Sequence, residues 1–272
     1  MANAAFLAGI RESHALPGDV RLMQATANGL LLLAVLLFAA LALNWAVRHP
    51  RFALRIVQVE GDVVRNSAST IRANAAPKLA GNFFTTDLQA GRRAFESVPW
   101  VRHAVVRRVW PNRLVAALEE HRPAALWSDA TGEKLVNTFG EVFEANLGDV
   151  EGDNLPTLSG PDGSARHMLA LHARLAPVLA RMNAEADAHI DALSLSQRGS
   201  WRAEMDNGAE IELGRGTDDE VIARAERFIG TLPEVTQRYQ RPLEYADLRH
   251  HDGYAVRLKG VTTTEPKPAG RK

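Results

Sequence analysis

The chain has 272 residues, with 32 lysines and arginines against 32 aspartates and glutamates, and no cysteine. This balance gives no global pull toward nucleic acid or acidic lipid. The missing thiols exclude a disulfide framework, thiolate metal sites and a cysteine nucleophile.

Residues 29–47, GLLLLAVLLFAALALNWAV, form a run of nineteen without a charged side chain. At about 1.5 Å rise per residue such a helix matches the ~30 Å hydrocarbon layer of a bilayer. Trp45 suits the membrane interface, and Arg48, His49 and Arg51 follow directly. Ala40-Leu41-Ala42 resembles a signal-cleavage site, but the preceding residues 1–28 are long and barely basic, and apolar character continues past Ala42. The expectation is a short tail over 1–28 and an uncleaved anchor over 29–47. Arg48, Arg51, Arg55 and Arg65 outnumber Arg11 and Arg21, so the charge rule alone would leave the soluble body in the cytoplasm.

Alternation over 54–61 predicts a strand ended at Gly61. Ser67 and Thr70 open a predicted helix running from Ile71 to Leu79, broken at Gly81-Asn82. Thr85 and Thr86 are placed to cap a second helix carrying Leu88, Gly91, Phe95 and Val98, with Pro99 as its stop. Two extended runs, 101–109 and 114–120, flank the turn Trp110-Pro111-Asn112-Arg113. The order strand, helix, helix, strand, strand makes a compact unit over 54–122.

Residues 123–260 read as a second, mainly antiparallel β-domain with flanking helices. Extended segments at 124–127, 134–137 and 142–143 are punctuated by Thr131-Gly132 and Phe139-Gly140. Met168, Leu171, Leu175, Val178, Leu179 and Met182 mark one face of a helix that Pro177 should kink. Strands at 190–195 and 201–205 lead to the hairpin signal Asn207-Gly208, with a return strand through Ile211 and Leu213. Asp218 is expected to cap a helix burying Ile222, Ala225, Phe228 or Ile229, and Leu232. A last hairpin joins 245–249 to 254–258 across His250-His251-Asp252-Gly253, and the tail 261–272 has nothing to bury. The fold class is α+β behind a single membrane helix.

No nucleophile elbow, Walker loop or H-E-x-x-H is present, and Gly214-Arg215-Gly216 reads as a turn. His167 and His172 lie five apart on a helix, on different faces, and His250-His251-Asp252 alternates across strand faces. Glu119-Glu120 and Asp218-Asp219-Glu220 could do acid-base work only with a pocket to hold them. Nothing argues for an enzyme, a metal or a cofactor. Trp100, Trp110, Trp127 and Trp201 are expected to fill core. The last strand, 254–258, is of more interest, because an open sheet margin there would be a template for a partner strand.

Several blocks in order carry a family resemblance: Ile56-Val57-Gln58-Val59-Glu60-Gly61, Gly81-Asn82-Phe83-Phe84, Val98-Pro99-Trp100-Val101, and the run 104–114 with Arg107-Arg108-Val109-Trp110-Pro111-Asn112-Arg113. Glu119 to Trp127, Leu135 to Phe143, Leu155-Pro156-Thr157-Leu158-Ser159-Gly160 and Tyr245-Ala246-Asp247-Leu248-Arg249 continue it. Over nearly the whole chain this resembles the bacterial FtsQ/DivIB cell-division family. The resemblance implies a cytoplasmic N-terminus, one inner-membrane helix, a periplasmic POTRA domain over 54–122 and a β-domain over 123–260. It also implies a non-enzymatic division scaffold at the septum, whose last strand receives FtsB of the FtsB–FtsL pair, with FtsK on the POTRA side. By position, the FtsB contacts are Arg198, Arg249, His250, Asp252, Gly253 and Leu258. His250 stands where the family often has tyrosine, and Leu258 where it often has tryptophan, which thins the aromatic content of that surface. POTRA units also serve polypeptide transport, but no room remains for a membrane β-barrel after residue 123. A periplasmic cell-wall enzyme using Glu119 or Glu120 is the remaining alternative.

Overall fold

In the computed structural model, residues 18–62, 64–65, 71, 79, 82–182, 188–250 and 253–261 are described. Most of the predicted 67–79 helix, Asp252 of the last turn and the tail from 262 onward lie outside them.

The apolar run belongs to a longer helix, α1 (Gly18–Val47), of 30 residues or about 45 Å. None of its membrane-length apolar window is buried against protein, as expected for a helix meant for lipid. A 3-10 turn at Pro50–Phe52 follows, capped by the His49 side chain.

The soluble body begins with β1 (Ile56–Asp62), α2 (Leu88–Glu96), β2 (Val101–Val109) and β3 (Arg113–Glu120). β3 lies in the middle of a three-stranded sheet, parallel to β1 and antiparallel to β2. Helix α2 buries Gly91, Ala94 and Phe95 against Val101, Ala104, Leu114, Ala116 and Leu118, a core that also takes Ile71 and Leu79. Its cap is Asp87, whose carboxylate accepts the N–H of Gln89, and not Thr85 or Thr86. Those threonines belong to the preceding turn, where both backbone N–H groups donate to the Asn82 carbonyl. Trp110 is 72% exposed, which corrects the expectation that all four of these tryptophans fill core; Trp100, Trp127 and Trp201 do. The cause is position: Trp110 opens the β2–β3 turn, beyond the end of the sheet.

Nine strands then form one sheet. They are β4 (Pro123–Asp129), β5 (Gly132–Asn137), β6 (Val142–Phe143), β7 (Thr157–Ser159), β8 (Ile190–Leu195), β9 (Trp201–Met205), β10 (Glu210–Gly214), β11 (Leu243–Asp247) and β12 (Ala255–Leu258). Their spatial order is β12-β11-β10-β9-β8-β7-β4-β5-β6. Five pairings are antiparallel and three are parallel, at β4–β7, β7–β8 and β10–β11, so the sheet is mixed with an antiparallel majority. Two helices provide the crossovers, α3 (Ala165–Leu179) between β7 and β8 and α4 (Asp218–Tyr239) between β10 and β11. They pack side by side over the main core, with Met168, Leu171, Leu175, Phe228 and Leu232 set against Leu193, Trp201, Ala203, Ile211 and Leu213.

Pro177 falls in the last turn of α3, which passes into a 3-10 turn at Ala180–Met182. The cap of α4 is Thr217, one residue before the expected Asp218, in a reciprocal box with Glu220. The acids this frees tie helix to helix: Asp218 meets His167 at 2.7 Å and Asp219 meets Arg174 at 2.5 Å.

The two units meet at a seam around Trp100, which is 3% exposed and has a left-handed backbone, φ 72. Its Nε1–H donates to Asp149, Arg65 lies 4.9 Å over its ring, and Phe143 meets it edge-on at 5.4 Å. His121 stacks on the same Phe143 at 4.0 Å. Beside them Arg102 donates to Glu119 and, through two nitrogens, to Glu141. Glu120 accepts the N–H groups of Val64 and Arg65. Both members of the Glu119-Glu120 pair are therefore held in structural contacts.

The Arg102 guanidinium, and after it the Asn137 amide, holds the Glu141 carboxyl down at about 2 from 4.5, while burial opposes. A carboxylate depressed by folding stabilises fully above its unfolded value and loses that contribution as pH falls through its folded one. Stability should therefore fall from about pH 4.5 toward about pH 2, and Glu141→Gln should flatten that segment. Urea unfolding midpoints of both proteins at about pH 5 and about pH 3 measure the difference.

Candidate partner-binding site

β12 is a terminal strand of the nine-stranded sheet; among the described residues it pairs with β11 alone, Leu243↔Leu258 to Asp247↔Ala255. Past its end, Lys259 donates its N–H to the Pro242 carbonyl on the inner side. With the two-residue period of an extended strand, the N–H groups of Arg257 and Ala255 face β11 as well. Those of Val256 and Leu258 then face the open margin. The strand closes where Val261 donates back to the Leu258 carbonyl and Gly260 takes φ 77.

Arg249 stands at the end of β11. Its backbone N–H and Nε both donate to one Asp247 oxygen and Nη2 donates to the other at 2.6 Å. This hydrogen bonding holds the Asp247 carboxyl down at about 2, against a smaller opposing effect of burial. The fork is fixed in place while Arg249 remains exposed. Gly214, at φ +80, lets the Arg249 side chain lie close: a Cβ there would sit 3.0 Å from Arg249 Cγ.

Arg249 lines a groove of about 900 Å³ together with Arg198, Arg202, Arg215 and Arg224, and Glu212 is the one carboxylate among its lining residues. Glu212 is engaged by Arg202 at 2.5 Å across the β9–β10 pair. Arg224 donates to the carbonyls of Leu213 and Arg215, and burial lowers its pKa. Arg198 and Arg215 meet no carboxylate among the described residues, so the groove keeps an excess of positive charge. A smaller hollow of about 280 Å³ adjoins it, sharing Arg224 and lined by Phe228, Thr231, His250, Gly253 and Tyr254. The Tyr254 hydroxyl donates to Thr231 at 2.7 Å, and its ring meets Phe228 edge-on at 5.1 Å.

The sequence-predicted residues thus divide by position. Arg198 and Arg249 share the arginine groove, and His250 and Gly253 line the smaller hollow. Leu258 is 5% exposed and faces the core, so what it offers at the margin is its backbone. Asp252 lies outside the described residues. Sequence reasoning missed Arg202, Arg215, Arg224 and Val256. The usable signal was Gly214-Arg215-Gly216, where two glycines turn an arginine outward. Chemically, among the described residues the outward N–H groups of Val256 and Leu258 and the Val256 carbonyl can pair with an extended segment, and the arginine groove past the end of β11 favours acidic groups.

Two family models match the chain: POTRA domain, FtsQ-type, over residues 52–121, and Cell division protein FtsQ/DivIB, C-terminal, over residues 125–249. Cell division protein FtsQ of Burkholderia pseudomallei is 39% identical, the match covering 93% of this chain and 99% of the relative. The proteins of that name from Thiomonas arsenitoxydans and Bordetella pertussis are 37% and 35% identical, over 94% and 93% of this chain and 97% and 99% of theirs. The three-stranded unit is therefore a POTRA domain, and the chain belongs to the FtsQ/DivIB family of bacterial cell-division proteins.

Proposed function

We propose that this division protein is a non-enzymatic scaffold, anchored by α1 with its N-terminus in the cytoplasm and its body in the periplasm at the septum. It receives the FtsB–FtsL pair by strand addition at β12, linking early and late division proteins and helping to control septal peptidoglycan synthesis. FtsK engages the POTRA side. The observation that carries this reading is the margin of β12, open among the described residues, where Val256 turns its N–H and carbonyl outward and Leu258 its N–H. Main-chain pairing supplies affinity in such an arrangement, and the arginine groove beside it selects an acidic partner and fixes register.

Proline at an outward-facing position removes a donor toward the partner and leaves the pairing to β11 its own N–H groups. Val256→Pro should therefore weaken capture of purified FtsB–FtsL by the full chain at least about a hundredfold. Arg198→Glu should weaken it about tenfold, with the loss shrinking at high salt. Wild-type affinity in the Val256→Pro protein, with an unchanged circular dichroism spectrum, would exclude strand addition.

A further inference from the structure

The segment joining α1 to the POTRA domain gathers a second surface, independent of the margin at β12. The Trp45 ring meets His49 edge-on at 5.3 Å, and Asn82 Nδ2 donates to the His49 carbonyl. Phe83 donates its N–H to the Phe52 carbonyl at 2.8 Å, and Ala53 bridges to Asn82. Arg55 donates its N–H to the Asn112 carbonyl, drawing in the Trp110–Arg113 turn. Arg108 donates to the Thr86 carbonyl at 2.7 Å. Residues 49–56, 82–86 and 108–113 are thus tied together at the end of the sheet that follows the helix.

Phe52 is the fifth residue after Val47, and the last three of those five, Pro50–Phe52, are wound into the 3-10 turn. With ~2 Å rise in that turn and ~3.5 Å per extended residue, Phe52 lies at most about 13 Å beyond the helix end. The polar layer on each side of the hydrocarbon is about 5–7 Å deep, and charges act across a further Debye length of about 8–10 Å. This end of the domain is therefore within reach of the lipid headgroups.

Its chemistry fits them. Trp110 is 72% exposed and Phe84 47%. Around them Arg48, Arg51, Arg55, Arg108 and Arg113 are exposed, and none meets a carboxylate among the described residues. Amphipathic aromatic rings settle at headgroup depth, and guanidinium groups pair with lipid phosphates. The zero net charge of the whole chain conceals this local excess.

We propose that this end of the POTRA domain rests on the headgroups of the adjoining leaflet, with Trp110 and Phe84 inserted among them and the five arginines drawn to anionic lipid. The contact fixes the tilt of the soluble body over the membrane.

Because the chain has no cysteine, one introduced thiol carries a unique label. The full chain is reconstituted into phosphatidylglycerol-rich liposomes with a nitroxide at Thr85→Cys or, for comparison, at Asp162→Cys in the β-domain. Collision with a water-soluble nickel chelate and with oxygen reports depth. The Thr85 label should be shielded from nickel and the Asp162 label should not. Shielding should weaken in phosphatidylcholine, and in Arg51→Glu/Arg113→Glu the contact equilibrium should drop by at least about 25-fold, about fivefold for each arginine lost. A Thr85 label as open to nickel as the Asp162 label would overturn the proposal, and this comparison leaves the patch side chains unaltered. So would shielding that survives both the charge reversals and the change of lipid.

Discussion

Trp100→Ala should destabilise the soluble body by about 3–5 kcal/mol, the range for removing a fully packed large aromatic side chain. The indole is 3% exposed, donates to Asp149, and is contacted by Arg65 and Phe143. Those neighbours come from both units, so truncation opens a cavity at the seam and not inside either core. The expected signature follows from that place. Wild-type protein should unfold in urea with the POTRA domain and the β-domain coupled, and the variant should show two separate transitions. Trp100→Phe keeps most of the packing and loses the hydrogen bond, so it should fall between the two. A single cooperative transition in Trp100→Ala, shifted by less than about 1 kcal/mol, would show that the seam does not couple the units.

Gly61→Ala should cost about 3 kcal/mol or more, concentrated in the POTRA domain. Gly61 takes φ +116, and a Cβ there would lie 2.2 Å from the Leu118 carbonyl oxygen of the neighbouring β3. The obstacle is backbone, which cannot swing aside as the end of a long side chain can. Relief requires β1 to part from β3 at the register pair Gly61↔Leu118. Hydrogen exchange should therefore show faster opening of β1 while β8 to β11 stay protected. Gly230→Ala, inside α4 with nothing within 4 Å, is the opposing control and should stabilise by about 0.5–1 kcal/mol.

The three strands of the POTRA unit and the helix before β2 were legible because residues 54–61 alternate and the turns carry strong punctuation at Gly61, Pro99 and Trp110-Pro111. Caps were misplaced by a residue or two, at Asp87 and Thr217, because each site offers adjacent residues able to cap; the first helical turn decides among them. The exposure of Trp110 was not legible, since a tryptophan in a turn has no periodicity to reveal its face. Nor were the parallel pairings β4–β7 and β7–β8, which join strands far apart in the chain. That an edge at 254–258 would matter was legible, and the sheet order places β12 last in the row among the described residues. The arginine groove escaped notice because its cations arrive from the β8–β9 turn, β9, the β10–α4 turn, α4 and the segment after β11. Each is ordinary in its own segment.

The nine-stranded sheet also works as a ruler. β6 abuts the POTRA domain through the Arg102–Glu141 contact and β12 is the opposite border, with eight gaps between them. At ~4.8 Å per gap the traverse is about 38 Å along the sheet. On the proposed strand addition at β12, a captured polypeptide would be set at a standard reach from the seam. To cover the same distance as a straight helix it needs about 25 residues before its chain turns extended.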